Sequence, residues 1–134
     1  KWDTIVYNTA AYNNQLAVIE WGYSRNYELS AIVCMYAASG GNLNILKWLY
    51  ANDCPKDVRV ILTAAENGHL DILIWEFANG CPLAIDTFQY AAKNKHIHVL
   101  QYLHDNIFAI DDDLYAKLVE LNIPEVNDWL KTIR

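Results

Sequence analysis

The segment AAENGHLDIL, residues 64–73, opens on a pair of alanines that returns along the chain every 27 residues. The four pairs are Ala10-Ala11, Ala37-Ala38, Ala64-Ala65 and Ala91-Ala92. An aromatic residue follows eleven residues after the first alanine of each pair, and one more interval of 27 reaches a fifth; these are Trp21, Trp48, Trp75, Tyr102 and Trp129. Two independent markers with one period indicate an internal repeat.

Cutting the chain at this period divides one repeat domain, 1–134, into the five units 1–27, 28–54, 55–81, 82–108 and 109–134. We call residues that occupy the same position in successive units a column. In the last unit, Leu118-Val119 replaces the alanine pair, and Asn127 stands where the other units carry Leu or Ile. Because a polar residue suits the end of a stack, we expect 109–134 to be a C-terminal cap.

Within one unit the apolar residues follow helical spacing rather than the alternation of a strand. In the third unit a first apolar face ends at Asn67-Gly68, and a second begins at Leu70. This pattern predicts two short antiparallel helices joined by a tight turn. Residues suited to cap first helices recur as Asp3 or Thr4, Ser30, Asp57, Asp86 or Thr87, and Asp111 to Asp113. The expected fold is an all-α solenoid of helix–turn–helix repeats, with the aromatic column buried over the seams between units.

The segments AAENGHLDIL and NGCP, residues 64–73 and 79–82, resemble the helical portion of the ankyrin repeat. Standard ankyrin repeats have about 33 residues and a T-P-L-H start, whereas this unit has 27 residues and lacks that start. We therefore expect the β-fingers of ankyrin arrays to be absent or minimal. The short unit is similar to ankyrin arrays that are abundant in giant DNA viruses and some protists.

Composition restricts the classes of partner. The net charge is −6 and no cluster of Lys or Arg occurs, which disfavours binding to nucleic acid or to an anionic membrane. No apolar run reaches the roughly 20 residues of a membrane helix. Cys34, Cys54 and Cys81 form no CxxC pattern, so we expect three free, buried thiols in a reducing compartment. The expected location is intracellular: the cytoplasm or, for a viral chain, the host cytoplasm or the virion.

No motif points to catalysis, a cofactor or a metal site. The sequence lacks G-x-S-x-G, a glycine-rich phosphate loop and H-E-x-x-H. His69 and His96 share a column at the turn before the second helix, which indicates local hydrogen bonding. His96 and His98 are two residues apart, so we expect them to face different ways on a helix. We interpret the acidic residues 111–113 as a helix cap rather than as a cation site.

The variable positions of the first helices are the candidate binding residues. Positions five, eight, nine and twelve of each unit vary while the positions between them stay apolar. The residues predicted to contact a partner, which we call the outer face, are Ile5, Tyr12, Ile32, Met35, Tyr36, Arg59, Glu66, Tyr90 and Lys93. In ankyrin arrays the corresponding face is concave and binds proteins, an implication of the resemblance. The other interpretation is that Ile5, Ile32 and Met35 pack against further chain or a neighbouring subunit.

These observations predict a non-enzymatic scaffold that recognises another protein through a rigid surface, with no cofactor. Two alternatives stay open at this point. The chain could be a structural subunit of a larger assembly, including a viral one, or an adaptor region of a longer protein with other domains. The oligomeric state and the identity of the partner are not indicated by the sequence.

Overall fold

The computed structural model describes residues 4–134, and these residues form ten α-helices and no strand. The prediction of an all-helical chain is confirmed. In chain order the helices are α1 (Thr4–Tyr12), α2 (Leu16–Ser24), α3 (Ala31–Ser39), α4 (Leu43–Ala51), α5 (Arg59–Glu66), α6 (Leu70–Ala78), α7 (Thr87–Lys93), α8 (Ile97–Asn106), α9 (Asp112–Glu120) and α10 (Pro124–Thr132). Asp3, one of the expected caps, lies outside the described residues.

Each 27-residue unit supplies one pair of consecutive helices that contact each other, from α1 with α2 to α9 with α10. The first helices of successive units also contact one another in the order α1, α3, α5, α7 and α9. These contacts are most extensive between α1 and α3, α3 and α5, and α5 and α7, the helices that carry the alanine pairs. The first helices therefore lie side by side as a row, with the second helices attached to it.

The alanine columns explain this close approach. All eight alanines of the four pairs are buried, and a methyl side chain keeps neighbouring helix backbones close, where a larger group would push them apart. In the last unit Leu118 is buried, whereas Val119 is exposed. The role of the last unit as a cap stays a prediction.

The repeat is also visible in the turns. Inside the hairpins, a left-handed residue with φ between 58° and 73° recurs every 27 residues, at Asn14, Gly41, Gly68, Lys95 and Asn122. After the second helices, a similar residue recurs at Asn26, Asp53 and Gly80. Left-handed residues end helices by letting the last amides bond back to the helix carbonyls. The turn inside the hairpin thus keeps one geometry in all five units, and the turn after the second helix keeps it in the first three, although the residue types change.

The aromatic column covers the seams, but it is less buried than we expected. Trp129 is 7% exposed and Trp21 is 47% exposed, while Trp48, Trp75 and Tyr102 are half-buried. The expectation of a buried column is right for Trp129 and wrong for Trp21. The rings are covered from the preceding unit, as Trp48 is by Tyr23 and Trp75 by Tyr50, and one short helix covers only part of a ring as large as an indole.

Helix capping follows the sequence in part. Asp111 caps α9 by accepting a hydrogen bond from the Leu114 amide at 2.9 Å, which confirms that cap. Asp57 accepts one from the Arg59 amide at 2.8 Å. Ser30 precedes α3, but its hydroxyl is buried and forms no hydrogen bond within residues 4–134. The Asp86 side chain likewise makes no capping bond, so Ser30 and Asp86 were wrongly predicted as side-chain caps.

Candidate functional site

The outer face consists of positions on the first helices that are mostly exposed. Because α1, α3, α5 and α7 lie in a row, their equivalent positions form columns across the row. Positions six, seven, ten and eleven of these helices are largely buried, whereas positions five and twelve are largely exposed. Seven of the nine predicted residues are exposed on these adjacent helices, whereas Met35 and Tyr90 are half-buried; the role of all nine in binding stays a prediction.

The apolar half of this face lies on the first two units. Ile5 is 68% exposed, Tyr12 51%, Ile32 47% and Tyr36 43%. Met35 is half-buried and packs against the core, so its side chain is less accessible than those of its exposed neighbours. Four large apolar or aromatic side chains on two touching helices are more than isolated exposed residues, and they resemble the apolar centre of a protein interface.

The charged half lies on the third and fourth units. Arg59 forms an ion pair with Asp57, with 2.7 Å between Nη2 and Oδ2. Hydrogen bonds from Arg59 lower the pKa of Asp57 to about 2. Lys93 lies over the ring of Tyr90, with Nζ 5.6 Å from the ring centroid. Glu66 and Lys93 are exposed and Tyr90 is half-buried, so this half presents both signs of charge around one partly covered aromatic ring.

A second candidate site was missed by the sequence reasoning. A pocket of about 580 Å³, which we call the seam pocket, lies where the second and third units meet. Its lining includes Lys47, Tyr50, Lys56, Trp75, Glu76 and Cys81. Glu76 is only 5% exposed, although the other described units carry Gly22, Leu49, Leu103 and Leu130 in its column. A carboxyl group in a leucine column was the signal that could have revealed this site.

Glu76 is held in the seam pocket by the preceding unit. The hydroxyl of Tyr50 donates a hydrogen bond to Glu76 Oε2 at 2.7 Å. Burial raises the pKa of the Glu76 carboxyl, and the Tyr50 hydrogen bond and the charge of Lys56 oppose that rise. Burial, followed by the Glu76 contact, also raises the pKa of Tyr50. The pocket thus combines a buried hydrogen-bond acceptor with an aromatic wall and basic groups at its rim.

The histidines link units through hydrogen bonds to backbone. His69 Nε2 lies 3.0 Å from the Ser39 carbonyl oxygen, and His96 Nε2 lies 2.9 Å from that of Glu66, in each case at the end of the previous first helix. The histidine column does form hydrogen bonds, but the expectation that they are local was wrong, because each partner lies in the preceding unit, 30 residues away. The expectation that His96 and His98 face apart was wrong: their rings lie edge to face at 5.9 Å, because His96 precedes α8 and lies outside its helical spacing.

The acidic residues 111–113 do not act as one group. Asp111 caps α9, and Asp112 pairs with Arg134 at 2.6 Å. Within residues 4–134, no three His, Cys, Asp or Glu side chains are grouped so that they could hold a metal ion. The same residues contain no helix with the length and apolar character needed to cross a membrane. Two of the three cysteines are buried as expected, but Cys81 is half-buried at the edge of the seam pocket.

In comparisons with protein-family profiles, with curated proteins and with solved structures, the chain matches none of them. The candidate sites are therefore interpreted from their own geometry.

Proposed function

We propose that the chain is a short-repeat, ankyrin-like solenoid that binds another protein through the outer face, without covalent chemistry. The observation that carries the proposal is the contrast within the first helices. Their buried columns hold alanine and other largely apolar residues, among them Tyr7, Cys34 and Phe88, while the outer-face residues change from apolar or aromatic in the first two units to mostly charged in the next two. Ile32 and Tyr36 are exposed and contribute little to the folding of the chain, so the requirements of folding alone do not explain large apolar side chains at these positions.

Rigidity supports this proposal. The outer-face side chains stand on short helices fixed by the alanine contacts, so binding would order few backbone torsions. A preorganised surface loses less conformational entropy on association than a flexible one. Tyr12, Tyr36 and Tyr90 add aromatic groups, which are enriched among residues that contribute most to interface affinity. An intracellular location is part of the proposal, since free cysteines are typical of reducing compartments.

The test is capture by the immobilised chain from a lysate of its source, read by quantitative mass spectrometry. Met35→Ala with Tyr36→Ala removes the centre of the apolar half. Ile74→Ala is the matched control, since Ile74 is 42% exposed but lies on a second helix. We expect a partner that the wild type and Ile74→Ala retain and that the double variant loses by about tenfold or more.

Equal retention by all three proteins, with unchanged helical circular dichroism, would remove the outer face from consideration. Co-purification in fixed stoichiometry with a shell or filament would instead favour the structural-subunit alternative.

A further inference from the structure

In the first, second and fourth units the fold brings two equivalent positions together. Position seven of the unit, in its first helix, contacts position twenty-seven, in the loop that closes the unit. In the first unit the Tyr7 hydroxyl donates to the Tyr27 carbonyl oxygen at 2.7 Å. In the fourth unit the rings of Phe88 and Phe108 lie edge to face with centroids 6.4 Å apart. The contact is therefore a property of the repeat and does not depend on one residue type.

In the second unit both of these positions are cysteines. Cys34 Sγ lies 3.2 Å from Cys54 Sγ, and the Cys54 thiol donates to the Ser30 carbonyl oxygen at 3.3 Å. A disulfide bond is about 2.05 Å long, so the two sulfur atoms need to approach by only about 1 Å. The bond would join α3 to the loop after α4 and would enclose the whole of α4.

We propose that Cys34 and Cys54 form a dithiol–disulfide modification site that small-molecule disulfides such as oxidised glutathione convert to an intramolecular disulfide. The Cys54 thiolate attacks one sulfur of oxidised glutathione, forms a mixed disulfide and releases one glutathione thiolate. The Cys34 thiolate then attacks Cys54 Sγ, forms the protein disulfide and releases the second glutathione thiolate. The two cysteine protons leave to solvent or to the released thiolates. The cysteines are oxidised by two electrons and the glutathione disulfide is reduced by two.

The order of attack follows from the surroundings of the two sulfur atoms. Cys54 is 4% exposed and Cys34 is fully buried, so the oxidant reaches Cys54 first when the loop opens locally. The hydrogen bond donated by the Cys34 thiol also lowers the pKa of Cys54, which favours the thiolate that attacks. Cys34 is left as the resolving thiol, already in contact with the sulfur that it must reach.

Cys81 provides a control within the same chain. It occupies the column of Cys54 in the third unit, where Ile61 occupies the column of Cys34. Position seven therefore offers Cys81 no thiol, and burial raises the Cys81 pKa. Oxidised glutathione should leave Cys81 reduced or as a mixed disulfide. The variant Ile61→Cys should create a second intramolecular pair with Cys81 if the columns are equivalent.

The test is equilibration of the full chain in glutathione buffers from fully reducing to fully oxidising, followed by acid quench, alkylation and peptide mass spectrometry. We expect a loss of two hydrogens, a linked Cys34–Cys54 peptide and an alkylated or glutathionylated Cys81. The oxidised chain should unfold on the order of 10 °C higher than the reduced chain, because the cross-link restricts the unfolded state. In Cys34→Ala, glutathione should stay on Cys54 as a mixed disulfide.

Alkylation marks a thiol that has stayed reduced. The proposal would be overturned if the most oxidising buffer left both Cys34 and Cys54 fully alkylated. A disulfide that pairs Cys81 with either of them in the native chain would also overturn it. If Cys34→Ala folds poorly, Cys54→Ala serves the same purpose, since it should leave Cys34 unmodified.

Discussion

The indole of Trp75 stacks on the phenol ring of Tyr50 in the preceding unit, with centroids 5.6 Å apart and planes 26° from parallel. The same interval of 25 residues joins Tyr23 to Trp48, edge to face at 5.4 Å. It also joins His104 to Trp129 at 6.3 Å. Alanines thus set the spacing of the first helices, while pairs of rings fill the wider seam between second helices.

Loss of one such ring should destabilise the chain by a moderate amount. We expect Trp75→Ala to lower the free energy of unfolding by about 1–3 kcal/mol, below the range for a fully buried aromatic because Trp75 is only half-buried. Trp21→Ala is the control, and its more exposed ring should contribute less than ~1 kcal/mol. Urea denaturation of both variants measures the difference, and equal losses would show that the seam contact adds nothing.

The left-handed turn of the third unit gives a sharper test of stacking. Gly68 has φ +73°, and a Cβ there would lie 2.6 Å from Nδ1 of His96 in the next unit. Gly80 has φ +87°, with no atom within 4 Å of such a Cβ. Both alanine variants incur backbone strain of about 1–2 kcal/mol, and Gly68→Ala should lose at least ~1 kcal/mol more. Identical thermal unfolding of the two variants would contradict the contact with His96.

Asn42 links the first two units by hydrogen bonds. Its Nδ2 donates to the carbonyl oxygens of Ala11 at 2.8 Å and Tyr12 at 2.9 Å, at the end of α1. Those carbonyls belong to a helix end and lack partners within the helix. We expect Asn42→Ala to lower the free energy of unfolding by ~1–2 kcal/mol. Asn44→Ala is the control, because Asn44 is exposed, and it should change the free energy of unfolding by no more than about 0.5 kcal/mol. A similar loss of stability in both variants, measured by urea denaturation, would contradict the link between the two units.

Glu76 should make stability depend on pH. Its pKa is raised in the folded chain, so between the ordinary value of 4.5 and the raised value the folded state binds more protons than the unfolded state. Stability from this group is therefore fully present below the unfolded pKa and is lost as pH rises through the folded pKa. Glu76→Leu, which restores the leucine of the column, should abolish that dependence and add about 1–3 kcal/mol at pH 7.

Chemical denaturation of the wild type, Glu76→Leu and Glu76→Gln from pH 4 to pH 8 measures this effect. Glu76→Gln keeps a group that can accept the Tyr50 hydrogen bond but does not titrate, so it should also flatten the profile. The prediction would be contradicted if the free energy of unfolding of the wild type, relative to that of Glu76→Leu, rose as the pH increased from 4 to 8.

The period and the helices were predictable because they depend on many residues at once. Where one unit lacks a typical residue, the same column in the other units still identifies the repeat. The helical hairpins can therefore be predicted from the alanine pairs and the turn residues. The position of the outer-face residues follows from the same columns, since helical spacing decides which side of α3 carries Ile32 and Tyr36.

The features that were missed depend on single contacts between units. Ser30 has a capping residue's side chain and extended backbone, yet its hydroxyl makes no capping bond. His69 and His96 bond to backbone carbonyl oxygens of the preceding unit. The sequence of a single helix does not indicate these partners. The seam pocket could not be predicted without the contact between Tyr50 and Glu76, which are 26 residues apart in the sequence.

The most direct test of the account is a measurement of nuclear Overhauser effects in the labelled chain in solution. Equivalent 27-residue hairpins that stack in register predict cross-peaks between the rings of Trp75 and Tyr50 and between those of Trp48 and Tyr23. They also predict none from Tyr36 to any second helix. Cross-peaks that place Trp48 and Trp75 in unlike surroundings, or that bury Tyr36 against a second helix, would contradict both the stacked hairpins and the open outer face.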